Sequence, residues 1–199
     1  MHTRKQYITP SQLLSAAFEL GWRVFESGFR PDLVVAVWRG GTPVGIALHE
    51  LLELLGVGAD HYAIRAASYT GISQREETVR VDGLDYLVER AAETDRLLLV
   101  DDVHDTGLSL QQIIADLEQA CGADAPDIRV ATPYFKPGNN LTGRVPDYFL
   151  HETDDWLVFP HELIGLSVEE MRAHKPELAA LMDRVQGALE TAGGHFSQK

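Results

Sequence analysis

Apolar residues recur at helical spacing through "SQLLSAAFELGWRVFESGF". Leu13, Ala17, Leu20 and Val24 form one stripe, with Leu14, Phe18, Gly21 and Phe25 beside it. This period predicts a helix opened by Thr9 or Ser11 as N-cap and closed by Gly28. "PDLVVAVW" follows as a valine-rich run, the pattern of a strand buried on both faces. After "RGGTP" a helical pattern resumes in "VGIALHELLELLG", ended by Gly56, and "HYAIRAASY" predicts a second strand. The segment from Thr70 to Val81, "TGISQREETVRV", is polar and weakly patterned, which predicts a mobile loop returning through a short strand.

Further along, "LDYLVERAAE" predicts a short helix, "RLLLVD" a strand, "LSLQQIIADLEQACG" a helix and "DIRVATPYF" a strand. The stretch after Phe135 is dense in Pro, Gly and Asn with short β-like pieces. The tail "SVEEMRAHKPELAALMDRVQGALE" is helical with a break at Pro176, and "TAGGHFSQK" is expected to fray. Alternating strands and helices predict an α/β fold, a mostly parallel sheet flanked by helices. A single domain over 1–199 is expected, with an irregular hood at 135–165 and a helical tail at 167–190.

Composition narrows the function. Seventeen basic against thirty acidic residues give a formal charge of −13, which argues against a nucleic-acid or membrane-surface partner. Neither a secretory h-region nor a membrane-length apolar run is visible. The single cysteine, Cys121, fits a reducing cytoplasm and a packing role near a helix end.

Candidate chemistry concentrates in "LLLVDDVHDTGLS", Leu97 to Ser109. Ligands of such sheets bind outside the carboxyl ends of the strands. Alternation along the strand would point Asp101 and Asp102 to opposite sides. The following turn, with Thr106, Gly107 and Ser109 leading into a helix, is suited to an anion. An N-terminal capping cluster, with Asp105 or Ser109 as the cap, is the plain alternative. A P-loop is excluded by the lack of G-x-x-x-x-G-K-[ST], and a dinucleotide fingerprint by the lack of G-x-G-x-x-G.

The string resembles the phosphoribosyl-pyrophosphate signature of type I phosphoribosyltransferases. Other landmarks follow in family order across roughly Leu33 to Glu162. "VWRGG" resembles the loop that approaches pyrophosphate, often through a non-proline cis peptide, here Trp38–Arg39. "SYTG" resembles the start of the lid of 6-oxopurine members. "KPGNN" with "TDDWLVFPHE" resembles their purine pocket, and the wording is closest to bacterial hypoxanthine or xanthine enzymes.

The resemblance implies a fold, a reaction and roles. Arg39, Gly40, Ser68, Tyr69, Asp101, Asp102, Asp105, Thr106, Gly107, Leu108 and Ser109 would bind phosphoribosyl pyrophosphate. Asp102, with Asp101, would touch Mg2+, and Asp105 would act as general base. Lys136 would donate to the purine 6-oxo group, Trp156 would stack on the base, and Leu157 would read its edge. Val158 to Glu162 would discriminate at C2, with hypoxanthine favoured over guanine or xanthine. The expected product is a nucleoside monophosphate of purine salvage, made by a cytoplasmic homodimer or higher homo-oligomer. A regulatory protein that senses the same ligand is the alternative, and it would need a DNA-binding face or module. The phosphate loop departs from many relatives in ending "GLS", so that Leu108 contributes only its backbone N–H.

Overall fold

A computed structural model of the chain describes residues 4–70, 77–91 and 96–191, with side chains described except at 67–70, 77–80 and 189–191. The chain divides into two units, Leu14–Asp154 and Met1–Leu13 with Asp155–Lys199.

The first elements are β1 (Lys5–Tyr7), α1 (Pro10–Glu26), β2 (Leu33–Trp38) and α2 (Gly41–Leu54). Thr9 caps α1: its Oγ1 accepts from the Gln12 N–H at 3.2 Å, while Gln12 Oε1 accepts from the Thr9 N–H at 2.9 Å. This is a reciprocal capping box, with Pro10 at the first helical position, where its missing N–H costs nothing. Next come β3 (Asp60–Thr70), β4 (Glu77–Asp82), α3 (Leu84–Ala91), β5 (Arg96–Val100) and the two-residue β6 (Val103–His104). They are followed by α4 (Leu108–Cys121), β7 (Asp127–Phe135) and β8 (Tyr148–Glu152).

In the larger unit the strand order is β4-β3-β2-β5-β7-β6, with β8 also paired to β7. All pairings are parallel except β3 with β4, which run antiparallel. This is the α/β architecture expected from the alternating pattern. Leu97, Leu98, Leu99 and Val100 are fully buried, as a strand covered on both faces requires. On one face Leu33, Val35, Leu97 and Leu99 pack with Leu87 of α3 and with Leu110, Ile113 and Leu117 of α4. Cys121 packs against the edge of this cluster. On the other face α2 approaches β2 so closely that a Cβ on Gly45 would lie 2.7 Å from the Ala36 Cβ. Truncating a central leucine such as Leu99 to alanine would cost about 2–5 kcal/mol, and with it the platform of the acidic strand end.

The smaller unit holds β1 and β9 (Trp156–Val158), paired in parallel with Lys5 opposite Trp156 and Tyr7 opposite Val158. It also holds α5 (Val168–His174), a 3-10 turn at Pro176–Leu178 and α6 (Ala179–Thr191). Val158, Leu166, Met171 and Met182 form its apolar centre, with Tyr7 and Leu178 against them. Ser167 and Glu170 make a second capping box at the start of α5. Among the described residues no helix is long and apolar enough to cross a membrane.

Candidate active site

β5 leaves its ladder at the acid pair. The Asp101 N–H still reaches the Ala131 carbonyl at 3.2 Å, and pairing with β7 resumes only at Val103. Both carboxylates approach the Arg39–Gly41 turn. A Cβ on Gly40 would lie 2.0 Å from Asp102 Oδ2, and one on Gly41 would meet the Val100 carbonyl oxygen at 2.4 Å. Glycine is required at both positions for space rather than for dihedral freedom. The Trp38–Arg39 peptide bond of this turn is cis.

Asp101 Oδ1 accepts from the Asp102 N–H at 2.9 Å, and the Gly41 N–H also donates to this carboxyl. Burial and then the adjacent Asp102 charge push the Asp101 carboxyl well above its ordinary range. The pair is therefore crowded negative charge tied by backbone donors to the neighbouring turn.

Helix α2 begins beside this pair and α4 begins downstream at Leu108, and the N-cap residue of each is a glycine with no side chain to accept from the first turn. Gly40 is the N-cap of α2, and Gly107, at φ +80°, is the N-cap of α4. First-turn N–H groups of a helix are donors for an anion; here the Gly41 N–H is held by the Asp101 carboxyl and the Leu108 N–H faces Thr106 Oγ1 at 3.4 Å. The α4 helix begins at Leu108, where the helical pattern of "LSLQQIIADLEQACG" begins. Gly107 is required twice over: its φ is left-handed, and a Cβ there would lie 2.6 Å from the His104 ring and 2.7 Å from Thr142 Oγ1.

Asp105 heads the loop, and both of its oxygens are engaged. Lys136 Nζ donates to Oδ2 at 2.9 Å and Asn139 Nδ2 donates to Oδ1 at 2.8 Å. Lys136 is positioned by the Lys136 N–H, which donates to the His104 carbonyl at 2.9 Å as β7 ends. The segment from Lys136 to Thr142 backs the loop, with the Leu141 N–H donating to the Thr106 carbonyl at 3.0 Å.

In the smaller unit, Trp156 is 60% exposed while Leu157 and Val158 are buried. A cavity of about 170 Å³ is lined by Lys5, Trp156, Val158, Glu162, Ile164, Gly165 and Leu166. The Phe159 N–H donates to Glu162 Oε2 at 3.0 Å and the Glu162 N–H to the Phe159 carbonyl at 3.1 Å, closing a turn with Pro160 at its second position.

In the larger unit the Arg39–Gly41 turn meets Asp101 and Asp102, and Asp105, at the head of the loop to Ser109, meets Lys136; the smaller unit holds Trp156 and Leu157. The backbone of Ser68 and Tyr69 lies in β3, opposite Val79 and Thr78. Their side chains fall outside the described residues, as does the 71–76 part of the loop expected over Thr70 to Val81, of which Thr70 lies in β3 and 77–81 in β4. Four supporting residues have no counterpart in the sequence reading: His104, Asn139, Thr142 and Lys175. His104 is buried edge-on against Phe135 at 5.4 Å, and burial lowers its pKa, which favours a neutral ring beneath the loop. The legible signal for Asn139 was its place in "KPGNN", three residues after the candidate lysine. Among the described residues, no group of three or more His, Cys, Asp or Glu side chains is placed to hold a metal ion.

The family model for the phosphoribosyl transferase domain matches residues 7–163. No curated protein matches the chain in sequence. Among solved structures, a purine phosphoribosyltransferase from Pyrococcus horikoshii is 27% identical with a TM-score of 0.61, over 82% of this chain and 97% of that one. The xanthine-guanine-hypoxanthine phosphoribosyltransferase of Helicobacter pylori is 20% identical, TM-score 0.59, over 87% and 100%. A hypothetical protein from Neisseria gonorrhoeae with bound ppGpp is 20% identical, TM-score 0.69, over 87% and 97%. The last two likenesses are of fold.

Proposed function

The chain belongs to the phosphoribosyl transferase domain family and is an enzyme of that class, and on that premise we propose that it transfers the 5-phosphoribosyl group of phosphoribosyl pyrophosphate to a 6-oxopurine, hypoxanthine favoured. The observation that carries this reading is the convergence of the Arg39–Gly41 turn on the Asp101–Asp102 pair, in the same unit as the glycine-led start of α4. A donor with a phosphate at one end, vicinal hydroxyls and a pyrophosphate has use for each part. The 27% identity to a purine phosphoribosyltransferase supports the purine acceptor.

In this reading the N–H groups and hydroxyls of Thr106 to Ser109 hold the 5-phosphate. Asp101 and Asp102 accept from the ribose hydroxyls, and Arg39 with the Gly40 backbone holds pyrophosphate. The bond between C1 of the ribose and the pyrophosphate oxygen breaks, and its electron pair leaves with pyrophosphate. A purine imidazole nitrogen forms the new bond to C1, and its proton passes to Asp105. Lys136, already paired with Asp105, donates to the 6-oxo group. Trp156 stacks on the base, while Ser68 and Tyr69 begin a lid that keeps water from the reacting carbon.

The donor set fits Mg2+. It is two hard carboxylate oxygens without a third side-chain ligand, and magnesium is commonly bound by one or two carboxylates plus substrate phosphates. Asp102, with Asp101, would hold the ion, which supplies charge neutralisation to the pyrophosphate. A protein at −13 needs that help against an anionic donor.

The test is nucleotide formation from phosphoribosyl pyrophosphate with hypoxanthine, guanine, xanthine, adenine and orotate in turn, with Mg2+ and then with excess chelator. Inosine monophosphate should form fastest, and chelator should abolish it. A failure of every 6-oxopurine would sink the reading, and turnover without any divalent ion would sink its metal component.

A further inference from the structure

The tail beyond residue 163 lies outside the matched family domain, and in its middle stands a lysine buried to 2% exposure. Lys175 follows α5 and precedes Pro176, which forbids the helix from continuing and pushes the residue before it out of helical geometry. Lys175 adopts φ −130° and ψ 63°, while the Lys175 N–H still donates to the Met171 carbonyl at 2.8 Å. The side chain reaches back to the turn after β9. Its ammonium donates to the Phe159 carbonyl at 2.7 Å and to the Pro160 carbonyl at 3.2 Å.

A buried ammonium is costly even with its protons taken, and burial lowers the Lys175 pKa. Beside Met171 and Met182 in this small apolar centre, an uncharged methionine would suit the surroundings without that cost. What methionine lacks is the means to hold two carbonyl oxygens in fixed positions. Those carbonyls belong to the turn from Phe159 to Glu162. Glu162, fastened by the Phe159 N–H, lines the cavity beside Trp156. The links run from Pro176 to Lys175, from Lys175 to the Phe159 and Pro160 carbonyls, and from that turn to the cavity wall.

We propose that Lys175 is a positioning residue for the purine, through which the C-terminal tail fixes the turn that shapes the base pocket. The inference rests on the purine-transfer reading. It adds that base affinity, and not donor affinity, is set from a segment outside the family domain.

The experiment uses the full chain as wild type, Lys175→Met, Lys175→Gln and Met182→Ala, with hypoxanthine and phosphoribosyl pyrophosphate varied separately. Lys175→Met should raise the hypoxanthine KM at least about tenfold, and Lys175→Gln, which keeps a shorter neutral donor, at least about threefold. The donor KM should stay within about twofold in both. Met182→Ala loosens the same apolar centre without touching the carbonyls. It should lower the melting temperature and leave the hypoxanthine KM within about twofold.

If Lys175→Met does not fold, Lys175→Gln decides. A hypoxanthine KM unchanged from wild type, or one matched by an equal rise in donor KM, overturns the role of Lys175 while wild-type turnover keeps the purine reading intact. A wild type that makes no purine nucleotide overturns both.

Discussion

Lys136 Nζ lies 2.9 Å from Asp105 Oδ2, so the residue that follows β7 is joined to the residue that opens the phosphate loop. The lysine is buried and the carboxylate is partly open, with Asn139 on its other oxygen. Two side chains of one segment, Lys136 and Asn139, therefore fix the direction of the Asp105 carboxylate, which is what a general base needs before its substrate arrives.

Asp105→Asn keeps the shape and removes the base. The expected result is a kcat lower by at least about tenfold, since general-base assistance contributes about 10²–10⁴-fold, with donor KM close to wild type. Steady-state kinetics with both substrates varied reads this, and an unchanged kcat removes Asp105 as proton acceptor.

Gly107→Ala tests the cradle. The substitution places a side chain at φ +80° and drives its Cβ to 2.6 Å from the His104 ring. The backbone conformation alone costs about 1–2 kcal/mol, and the ring or the loop must also move. The donor KM should rise at least about tenfold while the purine KM at saturating donor stays near wild type. A donor KM that does not move would place the 5-phosphate elsewhere.

Local pattern carried most of this fold, and the exceptions share one physical cause. The leucines of β5, the Thr9 cap and the glycine before α4 each announce themselves within a few residues. β1 does not, because "KQY" is polar and becomes a strand only through Trp156–Val158, far along the chain. His104, Thr142 and Lys175 were equally illegible: each acts by touching a ring, loop or backbone that sequence spacing does not bring near. The Gly40–Gly41 pair was legible as a turn. The helix after it opens already at Gly41, three residues before the helical pattern of "VGIALHELLELLG".

The smaller unit should have a stability profile set by one carboxylate. Lys5, the Ser167 N–H and the Tyr7 hydroxyl hold the Glu170 pKa down at about 2 from 4.5. A depressed carboxylate contributes stability above its unfolded pKa and loses it as pH falls through the folded one, here between 4.5 and about 2. Burial, and then the bond to Glu170, push the Tyr7 pKa up to about 12 from 10. The unfolded tyrosine ionises first, so stability falls as pH rises through that interval. Glu170→Gln should lose most stability near neutrality and little at pH about 2, converging on wild type as acid is added. Melting curves across pH would show it, and a constant offset between the two proteins would refute the linkage.

Trp156 offers the sharpest separation of stability from binding. At 60% exposure its indole gains little from burial, and its backbone rather than its ring pairs with β1. Trp156→Ala should therefore cost little in melting temperature. If the ring stacks on the purine, the same substitution removes a contact worth about 1–3 kcal/mol, which is a rise of about 5- to 150-fold in purine KM. Trp156→Phe keeps a flat face and should recover much of that loss. Trp22→Ala removes a ring of similar exposure, 43%, from α1 and should leave the purine KM unchanged. A purine KM that ignores Trp156→Ala would assign the exposed indole to some role other than the base, and the base pocket would lose its stacking wall.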